Sequence, residues 1–221
     1  MLSGRALKSA SFKRFAGVAV GSLLSASALA EDGKDHRIVR VEEDWGLVLN
    51  DPESELYSPQ FHTIMSPTEG LDSLYGQVLW NYSESPDFSP GGLQLSFWND
   101  NDLLLDRTAS AAPLSQRAEV IIWTQVMELS GSTVTFSIQD GNSESWGQFG
   151  GSEMTVSYDS HESDLNRYST GASVSNSCIT YGGNRVALLA ILQVRRFDEH
   201  GNVDVDSTPH VVAAAASGQG E

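Results

Sequence analysis

The sequence has few residues that crosslink a chain, and basic side chains are scarce. One cysteine, Cys178, in 221 residues excludes an intramolecular disulfide. A lone cysteine in such a chain is expected to act as a small buried apolar residue. Lysine and arginine number 13 against 29 aspartate and glutamate residues, which gives a formal net charge of −16. Such a surface repels phosphate backbones, so we expect no nucleic-acid partner.

The familiar local signatures of catalysis are also missing. The chain has no G-x-S-x-G elbow, no H-E-x-x-H helix and no phosphate-binding P-loop, and its five histidines are scattered. Glu42 and Asp44 have the i, i+2 spacing that places two carboxylates on one face of a strand. No apolar surroundings are evident for them, so we expect solvated charges. A non-catalytic protein is therefore favoured, and a hydrolase with a dispersed site stays open because triads are defined by geometry.

The first thirty residues have the pattern of a cleaved signal peptide. Basic side chains from Arg5 to Arg14 precede a short apolar region at residues 15–24, and Ala28-Leu29-Ala30 supplies the small residues of a cleavage site. The sequence thus predicts an exported protein that is periplasmic, cell-surface or extracellular. The most apolar later run, at residues 186–194, is only nine residues long and suits a buried strand. We therefore expect no membrane span in the mature chain.

A β-hairpin between residues 117 and 149 is the strongest structural signal. Val134, Phe136 and Ile138 alternate with polar residues, which is typical of a strand with one buried face. Ser130-Gly131 marks the turn before it. Residues 119–129 are apolar on both faces, which predicts a central strand covered on both sides.

The whole pattern predicts an all-β fold. About nine to eleven short strands are separated by turn signals, and no segment has a sustained helical stripe. We predict a single antiparallel β-sandwich, either a jelly roll or a concanavalin A-like fold, spanning residues 31–197 after the signal peptide at 1–30. Residues 198–221 are expected to form an acidic loop and a disordered C-terminal tail.

Two tryptophans are candidates for ligand binding. Flat aromatic faces can stack on sugar rings, while amides and carboxylates at the rim bind hydroxyl groups. Trp98 is followed by Asn99-Asp100, and Trp146 lies in a glycine-rich segment among polar side chains. Trp80 and Trp123 lie in apolar strands and are expected in the core. The predicted ligand-binding residues are Trp98, Asp100, Asn142, Glu144, Trp146 and Gln148.

Acidic loops offer an alternative role as cation sites. Asn202, Asp204 and Asp206 could present oxygens on one side of the chain, and calcium is the cation that such ligands would take. The register of an EF-hand loop fails, because it places Arg196 and Ser207 at ligand positions. The alternative function is a structural envelope or extracellular protein whose acidic loops gather calcium.

The strand alternation over residues 74–194, together with the turn region DGNSESWGQFGG, resembles concanavalin A-like lectin and laminin-G sandwiches. This resemblance implies a lectin-like β-sandwich that binds carbohydrate, with an extracellular glycan or an envelope surface as its partner. The glucanase branch of that superfamily carries an E-x-D-x-x-E strand motif, which this sequence lacks. The resemblance therefore implies binding rather than hydrolysis.

Overall fold

The computed structural model describes residues 36–51, 61–70, 73–80, 92–100, 102–109, 114, 116–174 and 185–214. The predicted signal peptide at 1–30, Cys178 and the end of the tail at 215–221 lie outside the described residues.

The described residues are almost entirely β-structure, with one short 3-10 helix at Gly151–Met154. The strands in chain order are β1 (Ile38–Leu49), β2 (Phe61–Ser66), β3 (Leu74–Trp80), β4 (Leu93–Asn99), β5 (Asp102–Ala109), β6 (Val120–Ser130), β7 (Thr133–Ser143), β8 (Gly147–Phe149), β9 (Thr155–Asp159), β10 (Ser169–Ser173), β11 (Val186–Asp198), β12 (Val203–Asp206) and β13 (His210–Ala214).

These strands form two antiparallel sheets. The larger, eight-stranded sheet has the order β12-β11-β1-β6-β7-β8, with β13 also paired to β11 and β9 also paired to β7. The smaller, five-stranded sheet has the order β10-β2-β3-β4-β5. Apolar side chains from both sheets form one buried core between them, which confirms the predicted all-β sandwich.

The core is rich in tryptophan. Trp45 and Trp123 come from neighbouring strands of the larger sheet, and their rings stack with centroids 5.9 Å apart. Trp80 of the smaller sheet reaches across to Trp123 at 4.5 Å. The expectation that Trp80 and Trp123 lie in the core is confirmed. These rings therefore connect the two sheets through a continuous aromatic contact.

The predicted hairpin is present as β6 and β7, and Val134, Phe136 and Ile138 are fully buried as expected. The expectation that β6 is covered on both faces is wrong at its start. Val120 and Ile122 are 56% and 46% exposed, because they point away from the core on the outer face of the larger sheet. An apolar residue shows only that it can be buried, not that another layer covers it.

The end predicted for the sandwich is also wrong. Residue 197 lies inside β11, and β12 and β13 continue the chain as two further strands that pair with β11. The acidic segment therefore belongs to the larger sheet. In the short strand β12, Val203 and Val205 alternate with Asp204 and Asp206. The sequence predicts an acidic loop at these aspartates because the alternation covers only four residues.

Among the described residues there is no helix with the length and apolarity needed to cross a membrane.

Candidate functional site

A cleft opens in the larger sheet where β7 changes its partner. The first half of β7 pairs with β9 up to Ser137, and its last residues pair with β8 from Gly141 onward. Gln139 and Asp140 lie between the two ladders, and Asp140 has a left-handed φ of 51°. β8 ends at Phe149 and β9 begins at Thr155, and a cavity of about 460 Å³ lies at the interval between them.

The lining of the cleft is polar with one aromatic ring. It consists of Gln139, Asp140, Gly141, Asn142, Gln148, Phe149, Gly150 and Gly151. Three side-chain amides can each donate and accept hydrogen bonds, and Asp140 adds a carboxylate. This combination suits a ligand that carries several hydroxyl groups next to an apolar face.

Glycines shape this cleft. A Cβ atom on Gly141 would lie 2.4 Å from the Phe149 ring, so the ring can approach the backbone this closely only because position 141 lacks a side chain. Gly150 has a φ of 106°, and a Cβ there would lie 2.7 Å from the Ile138 carbonyl oxygen. Both positions therefore require glycine for steric reasons.

Two of the predicted ligand-binding residues lie in the cleft. Asn142 and Gln148 face each other across the β7–β8 ladder, and both side chains are exposed. Glu144 is exposed in the adjoining turn but does not line the cavity. The sequence predicted these residues from their composition, and the short hairpin brings the two amides together.

Trp146 has a different position from the one expected. Its ring is half-buried and stacks on Trp80 with centroids 5.7 Å apart and an interplanar angle of 4°. Phe149 meets its edge at 5.5 Å. The ring extends the aromatic core towards the cleft, so it packs against the core rather than forming an exposed stacking surface.

Trp98 and Asp100 belong to the other sheet. Trp98 is half-buried on the outer face of β4, where it stacks on Tyr75 at 6.5 Å and donates a hydrogen bond from Nε1 to Ser96 Oγ at 2.8 Å. Asp100 occupies the β4–β5 turn with a left-handed φ of 52°. The six predicted ligand-binding residues are thus divided between the two sheets, and only Asn142 and Gln148 line the cleft.

The structure also contains a buried polar pair that sequence reasoning missed. Glu43 on β1 and Gln125 on β6 are opposite each other in the larger sheet, and both are 0% exposed. Trp45 Nε1 donates to Glu43 Oε2 at 2.9 Å, and Trp123 Nε1 donates to Gln125 Oε1 at 3.2 Å. Thr63 of the smaller sheet also donates to Gln125 Oε1. Within the described residues, Glu43 Oε1 and Gln125 Nε2 have no hydrogen-bond partner.

Burial controls the protonation of Glu43. Loss of solvation raises the pKa of its carboxyl group to about 7, although the hydrogen bond from Trp45, the nearby Thr170 side chain and the charge of Arg196 act in the opposite direction. A carboxyl group that titrates near neutral pH is an unusual feature of a protein interior. The signal was available in the sequence, since Glu43 occurs in the alternating series Val41, Glu43, Trp45 and so falls on the buried face.

Glu42 and Asp44, the carboxylates noticed from their spacing, lie on the opposite, outer face of β1. Both accept hydrogen bonds from Arg195, at 2.7 Å from Nε to Glu42 and 2.6 Å from Nη1 to Asp44. Arg40 also pairs with Glu42 and with Glu128 of β6. They are neutralised by arginine and form an ion-pair network across three strands rather than an acid and base pair.

The predicted cation ligands have other partners. Asp204 accepts a hydrogen bond from Arg196 at 2.9 Å, and the Asn202 side chain donates to Asp198 at 2.7 Å. Asp206 accepts from the backbone N–H of Thr208. In the described part of the chain, no group of three or more histidine, cysteine, aspartate or glutamate side chains is placed to hold a metal ion. Calcium binding by these three residues stays a prediction.

The fold and the cleft define the molecule as an antiparallel two-sheet β-sandwich with a polar cleft at one end of its larger sheet. No family model matches the chain, and no curated protein matches it significantly. Solved structures of scytalido-glutamic peptidase are similar to it at a low level. One, with a transition state analog inhibitor, has a TM-score of 0.36 and 10% identity over 83% of this chain and 85% of that chain. Another, with a peptide based transition state analog, has a TM-score of 0.40 and 11% identity over 80% and 83%. Values this low assign neither a family nor an activity.

Proposed function

We propose that this chain is an exported, non-catalytic β-sandwich that binds a hydroxyl-rich ligand of the glycan class in the β7–β8 cleft. The observation that carries the proposal is the pair of exposed amides, Asn142 and Gln148, facing each other beside the Phe149 ring. Amide pairs bind vicinal hydroxyls through matched donors and acceptors, and the ring contacts the apolar face of a sugar.

The experiment is retention on immobilised polysaccharides and a glycan array, comparing the wild type with the double variant Asn142→Ala/Gln148→Ala. Loss of two net hydrogen bonds of about 1 kcal/mol each is expected to weaken binding by roughly 30-fold. The fold should persist, because both side chains are exposed. Gln116→Ala removes an exposed amide outside the cleft and serves as the matched control.

Retention of the double variant at wild-type strength would contradict the cleft as the binding site. An absence of retention by the wild type on every glycan tested would contradict the ligand class. The calcium alternative is tested in the same samples, because a bound cation would raise the melting temperature at millimolar calcium and chelator would reverse it.

A second candidate is a hydrolase, and Glu43 is the observation that favours it. A carboxyl group with a pKa of about 7 can serve as a general acid, and the Gln125 amide lies opposite it. Its complete burial makes it the weaker candidate, because a substrate has no contact with a group that is 0% exposed. Hydrolysis on a panel of peptide, ester and glycoside substrates that Glu43→Gln abolishes would establish it.

A further inference from the structure

Strand β5 forms one edge of the smaller sheet. It pairs with β4 on one side, and no described strand pairs with its other side. Six of its eight side chains are exposed, including Leu103 at 46% and Leu105 at 39%. An edge strand of this length presents a row of backbone N–H and C=O groups that can pair with a further strand.

A β-bulge sits in the middle of this edge. Leu105 is opposite Phe97 and Leu103 is opposite Trp98, so Leu104 is the extra residue. Leu104 packs against the core. In a regular strand two successive side chains point to opposite faces, but at a bulge they can point to the same face. Consequently Leu104 and Leu105 both lie on the core-facing side.

The rest of β5 follows from its partners on β4. Leu103 and Asp106 are opposite Trp98 and Ser96, so they lie on the outer face of the sheet. Asp102 and Arg107 are opposite Asn99 and Leu95, so they lie on the core-facing side. An acidic and a basic side chain therefore flank the bulge on the same face, at equal distances from its centre in sequence.

We infer that β5 is a self-association surface that pairs antiparallel with β5 of a second copy of this chain. The two-fold axis would pass between Leu104 and Leu105. This register places Asp102 opposite Arg107 of the second copy, Leu103 opposite Asp106, and Leu104 opposite Leu105. The result is one continuous sheet through both copies, with an isologous contact in which each pair occurs twice.

The choice of register follows from the faces of the residues. Opposed residues in an antiparallel pair must share a face, and a slip changes that relation. With the axis between Leu104 and Leu105, each residue from 102 to 107 is opposite a residue of the second copy that lies on the same face of the sheet. Moving the axis by one residue in either direction opposes Leu105 to Asp106 or Leu103 to Leu104, which lie on different faces.

Charge supports a second copy as the occupant. The chain has a formal net charge of −16, so two copies repel each other at most orientations. In this register Asp102 of each copy is opposite Arg107 of the other, which gives two attractive pairs, whereas acidic residues at both positions would place like charges opposite each other. The pairs are exposed to solvent, so we expect a concentration-dependent equilibrium between monomer and dimer rather than an obligate dimer.

The test is sedimentation velocity of the full chain and two charge reversals over about 10 µM to 1 mM, a range suited to weak association. The wild type is expected to dimerise with increasing concentration.

Asp102→Arg alone would place two arginines opposite each other, and Arg107→Asp alone would place two aspartates opposite each other. Each single variant is therefore expected to stay monomeric. An equimolar mixture of the two variants restores both attractive pairs and is expected to form a heterodimer. The double variant D102R/R107D is expected to dimerise like the wild type.

Glu144→Arg is the control, because it makes the same change in net charge as Asp102→Arg at an exposed residue outside β5. Circular dichroism checks that each variant is folded, which is expected since both substituted side chains on β5 are exposed. A wild type that stays monomeric at 1 mM would overturn the inference. Dimerisation of both single variants, or failure of their mixture to associate, would also overturn it.

Discussion

At the scale of single residues, Arg185 is a buried charged side chain that hydrogen-bonds to the backbone of three segments. Its side chain is 1% exposed just before β11, and its guanidinium group donates to three backbone carbonyl oxygens. The acceptors are Leu114, Asn50 at 2.7 Å and Gln116 at 3.3 Å. One planar group therefore joins the end of β1, the connection before β6 and the start of β11. Burial lowers the pKa of Arg185 from its usual value, but arginine remains charged.

Arg185→Lys is predicted to destabilise the protein, although the charge is retained. An ammonium group has neither the reach nor the planar fork needed to bond three carbonyls in different directions. Loss of charge-assisted hydrogen bonds in a buried position is expected to lower the free energy of unfolding by roughly 2–3 kcal/mol. Urea denaturation measures the change, and Arg117→Lys, at an exposed ion pair with Asp51, is the control that should change stability little. Equal effects of the two substitutions would contradict this account of Arg185.

At the scale of elements, a glycine in one sheet leaves room for an aromatic ring from the other. Gly76 in β3 lies under the ring of Phe136 in β7, and a Cβ atom there would be 2.2 Å from Phe136 Cδ1. The ring of Phe136 is fully buried and cannot move into solvent. The contact between β3 and the Phe136 ring thus depends on the absence of one side chain.

Gly76→Ala is predicted to lower the free energy of unfolding by roughly 1–3 kcal/mol, because the added methyl group overpacks the core. Phe136→Leu should relieve part of the clash, so the double variant is expected to be less destabilised than the sum of the single variants. Gly46→Ala is the control, since its Cβ would meet the exposed Leu192 side chain at 3.2 Å. Additive effects of the two core substitutions would show that the ring and the glycine are independent.

At the scale of the whole molecule, the buried carboxyl group of Glu43 and the half-buried imidazole of His62 have opposite effects on stability. Burial raises the pKa of Glu43 to about 7 and lowers the pKa of His62 to about 4. The contribution of Glu43 is fully present below its unfolded value of 4.5 and is lost as pH rises through 7. The contribution of His62 is present above its unfolded value of 6.5 and is lost as pH falls through 4. Between pH 4.5 and 6.5 the two slopes oppose each other.

Single substitutions are therefore predicted to reveal a pH dependence that the wild type conceals. In Glu43→Gln the His62 contribution remains, so the free energy of unfolding should increase from pH 4.5 to 6.5 by up to roughly 3 kcal/mol. In His62→Gln the Glu43 contribution remains, so the free energy of unfolding should decrease over the same range. Urea denaturation at several pH values in this range measures both slopes. Profiles parallel to the wild type in both variants would contradict the assigned shifts.

The sequence by itself determined what depends on local alternation. Val134, Phe136 and Ile138 had to share a face, because successive side chains of a strand point in opposite directions. The same rule specified the hairpin, the buried tryptophans at 80 and 123, and the all-β class. The same alternation puts Glu43 on the buried face of β1. It does not predict Gln125 as the residue opposite, because the pairing of β1 with β6 joins residues that are far apart in sequence.

Only the tertiary structure decided which surfaces meet. Val120 and Ile122 are apolar yet exposed, because within the described ranges no element covers this end of the outer face of the larger sheet. Trp146 lies beside polar residues in the chain, yet it packs on Trp80 from the other sheet. The cleft exists because β7 changes partner between β9 and β8, and strand pairing joins residues that are distant in sequence. Contacts of this kind depend on register and on the spacing between sheets, which no local pattern of residues encodes.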